Sequence, residues 1–313
     1  MPFTFAHPAA VLPLRKLSPR FLNLPALIVG SLMPDLGYYV HNWVWSIAGH
    51  AFNGPLNFDV PTGFVALALF YLNIRPVARL LPYPHREACS EICPVLGMPS
   101  LRALLVAGVS LLIGAWSHII WDGFTHENGW CVRQFAGITP TLFMLGNYRI
   151  TVWHILQHFS TAIGLLVLIN AYCRYAYGKR FLKHKSLLGA QSLYAIWAFV
   201  LTLPAVRALV SNSSYLSHGL SLPRVDEFIF NATVTYVCDF LPLMCAAGVL
   251  VSILEYSFVS NRYQPALVVA PAHEFEPLPV SASAVRAPLL SVLSTSTDNV
   301  AMQVESFSKQ APV

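Results

Sequence analysis

The chain is 313 residues long, 56% hydrophobic and only 11% charged, with a formal net charge of +5. A soluble globular domain carries about 25% charged residues, so this composition excludes an ordinary water-soluble protein. The mean hydropathy of +0.57 excludes disorder over most of the chain. The 19 Lys and Arg against 14 acids are too few and too scattered to point to a nucleic-acid partner. In a membrane protein they act as topology signals.

The chain opens MPFTFAHPAAVLPLRKLSPR. Its positive charges follow the apolar part instead of preceding it, so the segment does not read as a cleavable signal peptide. Pro8 suits the first position of a helix, which leaves His7 just outside that helix. Apolar runs follow at residues 21–40, 55–74, 101–121, 151–172, 187–210 and 228–258. Each is long enough for a helix crossing the hydrocarbon core, which takes roughly 20 residues. The first is interrupted by Pro25 and Pro34-Asp35, and the second opens with Asp59 and Pro61.

The expected architecture is therefore all-α: a polytopic membrane helix bundle of about six spans over residues 1–262, in the cytoplasmic membrane. From about Tyr263 the chain is rich in Pro, Ser, Ala and Val and has no long apolar run. Residues 263–313 read as a disordered cytoplasmic tail. Arg15, Lys16 and Arg20 precede the first run, and residues 41–54 contain neither Lys nor Arg. The later loops alternate in the same way, which places both termini in the cytoplasm.

Ionisable groups inside such runs are costly unless paired or hydrated, so they carry the functional information. His118 and Asp122 are four residues apart and share a helix face, with His126 a further turn along. Imidazole and carboxylate at this spacing suit zinc, manganese or iron; the structural alternative is a His–Asp pair that only orients the helix end. Asp35 follows Pro34 at the end of an apolar run, where it is either a ligand or a helix-end carboxylate facing water. A hairpin of residues 8–17 and 21–35 around Ser18-Pro19-Arg20 would bring His7 and Asp35 to one end, but would bury Arg15, Lys16 and Arg20 deeply. His50 lies in the loop free of Lys and Arg, and His154 and His158 share a face near the start of the fourth run.

In the six-span arrangement Asp35, His50, His118, Asp122, His126, His154 and His158 all fall toward the extracytoplasmic side. Two carboxylates and neutral imidazoles at one level would offset a divalent cation. The six cysteines show no zinc-finger spacing; those in or beside apolar runs read as small hydrophobes, and Cys89 and Cys93 as free thiols.

Four stretches, MPFTFAHPAAVLPL, IVGSLMPDLGYY, GAWSHIIWDGFTHENG and ILQHFSTAIGLL, resemble in that order the bacterial membrane proteins grouped as domain of unknown function 4184. The likeness covers roughly residues 1–255 and implies no established activity. More distantly, the order His7, Pro34-Asp35, His50, His118-x-x-x-Asp122, His126 is similar to the ligand order of zinc-dependent phospholipase C and the single-strand zinc nucleases. It also looks like that of the membrane-bound metal-dependent hydrolases of bacteria. The resemblance implies metal ligands at His7, Asp35, His50, His118, Asp122 and His126, and zinc-activated water acting on a phosphodiester. Where those phospholipases carry His-x-x-x-Glu, this chain has His154-x-x-x-His158, and the N-terminal amine ligand of the secreted enzymes is not evident. One or two metals, with His158 as a further ligand, is the resulting expectation.

Asp35 and Asp122 are the catalytic candidates, as ligand or general base. The leading functional reading is a metal-dependent membrane hydrolase of phosphoester or lipid substrates, with membrane lipids as its surroundings. A non-catalytic scaffold and a proton or metal transporter are the alternatives.

Overall fold

The computed structural model describes residues 3–18, 20–92, 99–135, 137, 139–145, 148–181, 189–217 and 221–262. The expected tail from 263 onward and Cys93 lie outside them. A 3-10 turn, Thr4–Ala6, leads into α1 (Pro8–Leu17), which Pro8 starts. The chain then turns back into α2 (Leu24–Gly30). Asn23 caps α2 by accepting a hydrogen bond from the Ala26 amide at 2.9 Å. Replacing Asn23 with Ala is expected to destabilise the fold by about 1 kcal/mol, the usual value of such a cap. The unfolding midpoint against wild type measures it.

The run expected to span at 21–40 does not form one continuous helix. Pro34 opens a second 3-10 turn, Met33–Asp35, and α3 (Leu36–Tyr39) follows. A proline lacks the amide that would continue α2 and disfavours helical geometry in the residue before it. Then come α4 (Trp43–His50) and a π-helical stretch, Pro55–Asp59, that runs into α5 (Val60–Ala78). After α6 (His85–Glu91) the long α7 (Leu101–Thr125) begins, with Ser100 as its cap. A short α8 (Trp130–Gln134) precedes a two-stranded antiparallel hairpin, β1 (Thr141–Leu145) and β2 (Tyr148–Thr151). The described residues end with α9 (Val152–Gly178), α10 (Ala190–Asn212), α11 (Ser214–Ser217) and α12 (Leu222–Arg262).

Five helical stretches among the described residues are long and apolar enough to cross a bilayer: Pro55–Ala78, Leu101–Thr125, Val152–Gly178, Ala190–Asn212 and Pro223–Ser257. Their outward faces carry large apolar side chains such as Leu72, Leu166, Ile169, Val206 and Ile253, all more than half exposed. In water such faces would drive aggregation; in lipid they are solvated. The protein is a polytopic membrane helix bundle.

The contact of α2 with α7 positions the site. The two helices run parallel, in register, at close range. The Asn23 amide donates to Ser110 Oγ at 2.8 Å, and twelve ångströms of helix further up (eight residues at about 1.5 Å each) the Ser31 carbonyl meets His118. A Cβ on Gly30 would stand 2.2 Å from the Leu111 carbonyl oxygen, and one on Gly114 2.4 Å from that of Leu27. Small residues let the backbones touch, as they do between helices in membranes. Ala26, Val29, Met33, Leu67, Ala107 and Leu111 form the core beside this contact. At the opposite end, Arg79 and Arg86 pair with Glu255 of α12 at 3.4 and 3.5 Å, and Lys179 pairs with Glu91 at 2.9 Å. The Lys179 ammonium and the Tyr175 hydroxyl hold the Glu91 carboxyl below its ordinary pKa.

Candidate metal centre

Four elements bring their polar groups to one place near the end of α7. His7 arrives from the start of α1, Asp35 from the 3-10 turn after α2, His50 from the end of α4, His118 and Asp122 from α7, and His126 from its C-cap. The expected hairpin exists: α1 and α2 pack together, and His7 and Asp35 lie at the same end.

Asp35 Oδ1, His50, His118 and Asp122 each offer one ligand atom, all within 4.8 Å of one another. His118 Nε2 stands 3.3 Å from Asp122 Oδ2 and 3.6 Å from Asp35 Oδ1. His50 Nε2 stands 3.5 Å from Asp35 Oδ1 and 3.6 Å from Asp122 Oδ2. These lengths exceed the roughly 2.7–3.2 Å of an N–H···O hydrogen bond. A tetrahedral shell at about 2.0–2.2 Å from a zinc-like ion has edges of roughly 3.3–3.6 Å, which the four imidazole–carboxylate separations match.

The other ring nitrogens set the tautomers. His118 Nδ1–H donates to the Ser31 carbonyl at 2.8 Å, and His50 Nδ1–H donates to the Ser46 carbonyl at 2.9 Å. A carbonyl can only accept, so both protons sit on Nδ1. In the neutral imidazoles Nε2 then presents a lone pair to the carboxylates. Such backbone bonds orient metal-binding histidines. Asp35 is oriented similarly: the Thr4 hydroxyl donates to its Oδ2, leaving Oδ1 turned inward.

Burial sharpens the electrostatics. Asp35 is 1% exposed and His118 fully buried. Buried polar atoms normally have partners, yet Asp35 Oδ1 and His118 Nε2 have no hydrogen-bond partner. Two carboxylates in so dry a place need positive charge between them. Either a cation or protons on the imidazoles supply it, and the separations suit the cation. Burial pushes the His50 pKa down, but the neighbouring Asp122 and Asp35 carboxylates raise it on balance.

His7 and His126 lie on the other side of Asp122. His7 Nε2 is 3.5 Å and His126 Nδ1 3.6 Å from Asp122 Oδ1. The His7 ring stacks on His118 at 3.7 Å between centroids. Burial and the neighbouring His118 lower the His7 pKa to about 3, which keeps it neutral. His50 and His126 side chains are each 27% exposed, so the centre is reached from their side.

His154 and His158 sit elsewhere, in a groove of about 350 Å³ lined with Ile150, Ile155 and Phe159. His154 completes a capping box with Thr151 at the start of α9. His158, expected among the ligands, is outside the four-residue group.

Asp59 is the residue that the reading of the runs passed over. It is fully buried on the π-helical stretch, with neither carboxylate oxygen hydrogen-bonded. It packs against Gly49, the residue before His50: its Oδ1 would lie 3.1 Å from a Cβ there. A carboxylate inside an apolar run was the available signal, but its place at the start of a weak run disguised it.

The model of the family described as Domain of unknown function (DUF4184) matches residues 1–257. No curated protein and no solved structure matches the chain.

Proposed function

We infer the function from the site itself, because the chain belongs to the DUF4184 family, a domain of unknown function that brings no activity with it. The reading is a metal-dependent membrane hydrolase acting on a phosphoester, with zinc as the preferred ion. One observation carries it: ligand atoms of buried Asp35, His118 and Asp122 and of half-buried His50 lie within 4.8 Å of one another, the imidazoles 3.3–3.6 Å from the carboxylates, with both imidazole protons turned away to backbone carbonyls.

Asp35, His50, His118 and Asp122 would hold the ion, whose 2+ charge offsets the two carboxylates. A bound zinc acts as a Lewis acid and lowers the pKa of its water toward about 7. The protein's own part is to position and to handle protons. Ser31 and Ser46 hold the two imidazoles, and Thr4 holds Asp35. Asp122 Oδ1, turned toward His7 and His126, is the carboxylate oxygen best placed to take a proton from an incoming water. The side at His50 and His126, each 27% exposed, is where a water would enter, and it would join the four protein ligands as a fifth, a coordination that catalytic zinc sometimes takes up. The Lys and Arg content of the loops supports an extracytoplasmic position for the centre.

Elemental analysis of the detergent-purified full chain tests the reading. Close to one equivalent of zinc or manganese is expected, together with hydrolysis of phosphodiester or phospholipid substrates that a chelator stops and zinc restores. A protein that holds no metal after reconstitution with either ion overturns it.

A further inference from the structure

The hairpin of α1 and α2 ends in positive charge at an unexpected depth. Its two ends, His7 and Asp35, lie at the level of Asp122. Its turn lies much lower, since Asn23 meets Ser110. From Ser110 to Asp122 is twelve residues of helix, about 18 Å. Ser110 is nine residues from the start of α7 at Leu101, about 14 Å from that end of the bundle. The hairpin therefore goes down along α7 and comes back without crossing.

Arg15 and Lys16 lie in the last turn of α1, and Arg20 in the turn that follows. Lys16 and Arg20 are exposed and Arg15 half-buried. None of the three forms an ion pair among the described residues. The surrounding helices offer no acid nearby: α1, α2 and α9 contain none, and the single acid of α7 is Asp122 at the far end. Unpaired cations are costly inside the hydrocarbon. Long Lys and Arg side chains escape by extending to the nearer interface, and here that is the one opposite the metal centre. Phosphate groups at that interface are the anions within reach, and basic residues near a leaflet favour anionic lipid.

We propose that Arg15, Lys16 and Arg20, at the tip of a re-entrant hairpin, bind the phosphate of an anionic lipid in the leaflet opposite the metal centre. The N-terminal segment then enters and leaves the bilayer on the metal-centre side. This replaces the cytoplasmic N-terminus that loop counting suggests, and it explains why the first apolar run is too broken to span. It does not depend on whether the centre holds metal.

The full chain, reconstituted in phosphatidylcholine vesicles with or without phosphatidylglycerol, tests the proposal. Retained lipid is counted by native mass spectrometry and stability is read from the thermal midpoint. Wild type should prefer phosphatidylglycerol roughly tenfold or more, with a raised midpoint. The Arg15→Gln, Lys16→Gln, Arg20→Gln variant should lose both effects, and Arg15→Lys, Arg20→Lys should keep them. Inorganic phosphate alone should not raise the midpoint. An unchanged lipid preference in the Gln variant overturns the lipid site, and so does an equal response to inorganic phosphate.

Labelling with an impermeant maleimide tests the depth in a cysteine-free background. Lys16→Cys, too short to reach the interface from a turn at the level of Ser110, should stay unlabelled from both sides while Arg180→Cys, beyond the end of α9, labels from one, and its reaction from the Arg180→Cys side would mean that the hairpin crosses. Reaction from the side that labels Asn53→Cys, close to the metal centre, overturns the re-entrant geometry even if the Gln variant fails to fold.

Discussion

Asp122→Ala protein is expected to leave purification with metal at background, where the wild type carries close to one equivalent. Asp122 is the group that both halves of the centre share: Oδ2 faces His118 and His50, and Oδ1 faces His7 and His126. Its removal takes away one ligand and half of the negative charge that would offset a divalent ion. Loss of an outer hydrogen-bond partner alone typically lowers affinity by 10–100-fold, so loss of a ligand should exceed about 100-fold. His118→Ala should do the same, because its ring is fully buried with Nε2 directed at both carboxylates. Elemental analysis at matched protein concentration, with a zinc titration, measures both variants. Wild-type stoichiometry in a folded Asp122→Ala protein would remove this carboxylate from the centre. Metal loss in the variants should be accompanied by loss of any phosphoesterase activity.

Gly114→Ala is expected to be severely destabilising although it adds one methyl group. The new Cβ would stand 2.4 Å from the Leu27 carbonyl oxygen and 2.7 Å from the Ser31 amide nitrogen. Both obstacles are backbone atoms, so no side chain can swing away. Overpacking usually costs about 1–3 kcal/mol and sometimes more, and a clash with two backbone atoms of α2 and its cap belongs at or above the upper end. The displaced element is α2, which holds the Ser31 carbonyl against His118 and leads into Asp35. Metal content should therefore fall with stability. Gly178→Ala is the control, since nothing lies within 4 Å of its Cβ position. Denaturant titration in detergent distinguishes the two, and equal midpoints would mean that α2 and α7 do not pack this closely.

Much of the protein was legible in its residues. Hydropathy identified the long helices because a bilayer demands about 20 apolar residues in a row, and this is a local property. The four-residue spacing of His118 and Asp122 put them on one face for the same reason: helix periodicity is local. Pro34 and Pro25 already marked the 21–40 run as weak, and the chain breaks there into α2, a 3-10 turn and α3. The residue types at the centre were also readable, since buried His and Asp in apolar surroundings are rare.

Which of those groups meet was decided by packing. His7, Asp35 and His50 reach Asp122 over separations of about 70–115 residues, and no periodicity connects them. They converge because Gly30 and Gly114 let α2 lie directly on α7, and because the hairpin turns back at the level of Ser110. His154 and His158 have the same spacing as His118 and Asp122, yet they line a separate groove. Asp59, an interruption when read in sequence, is carried by the π-helical stretch to a fully buried position against Gly49. Spacing along one helix chooses a face, and hydropathy chooses an environment. The choice of partner across helices depends on how closely two backbones can approach, and only the tertiary structure contains that distance.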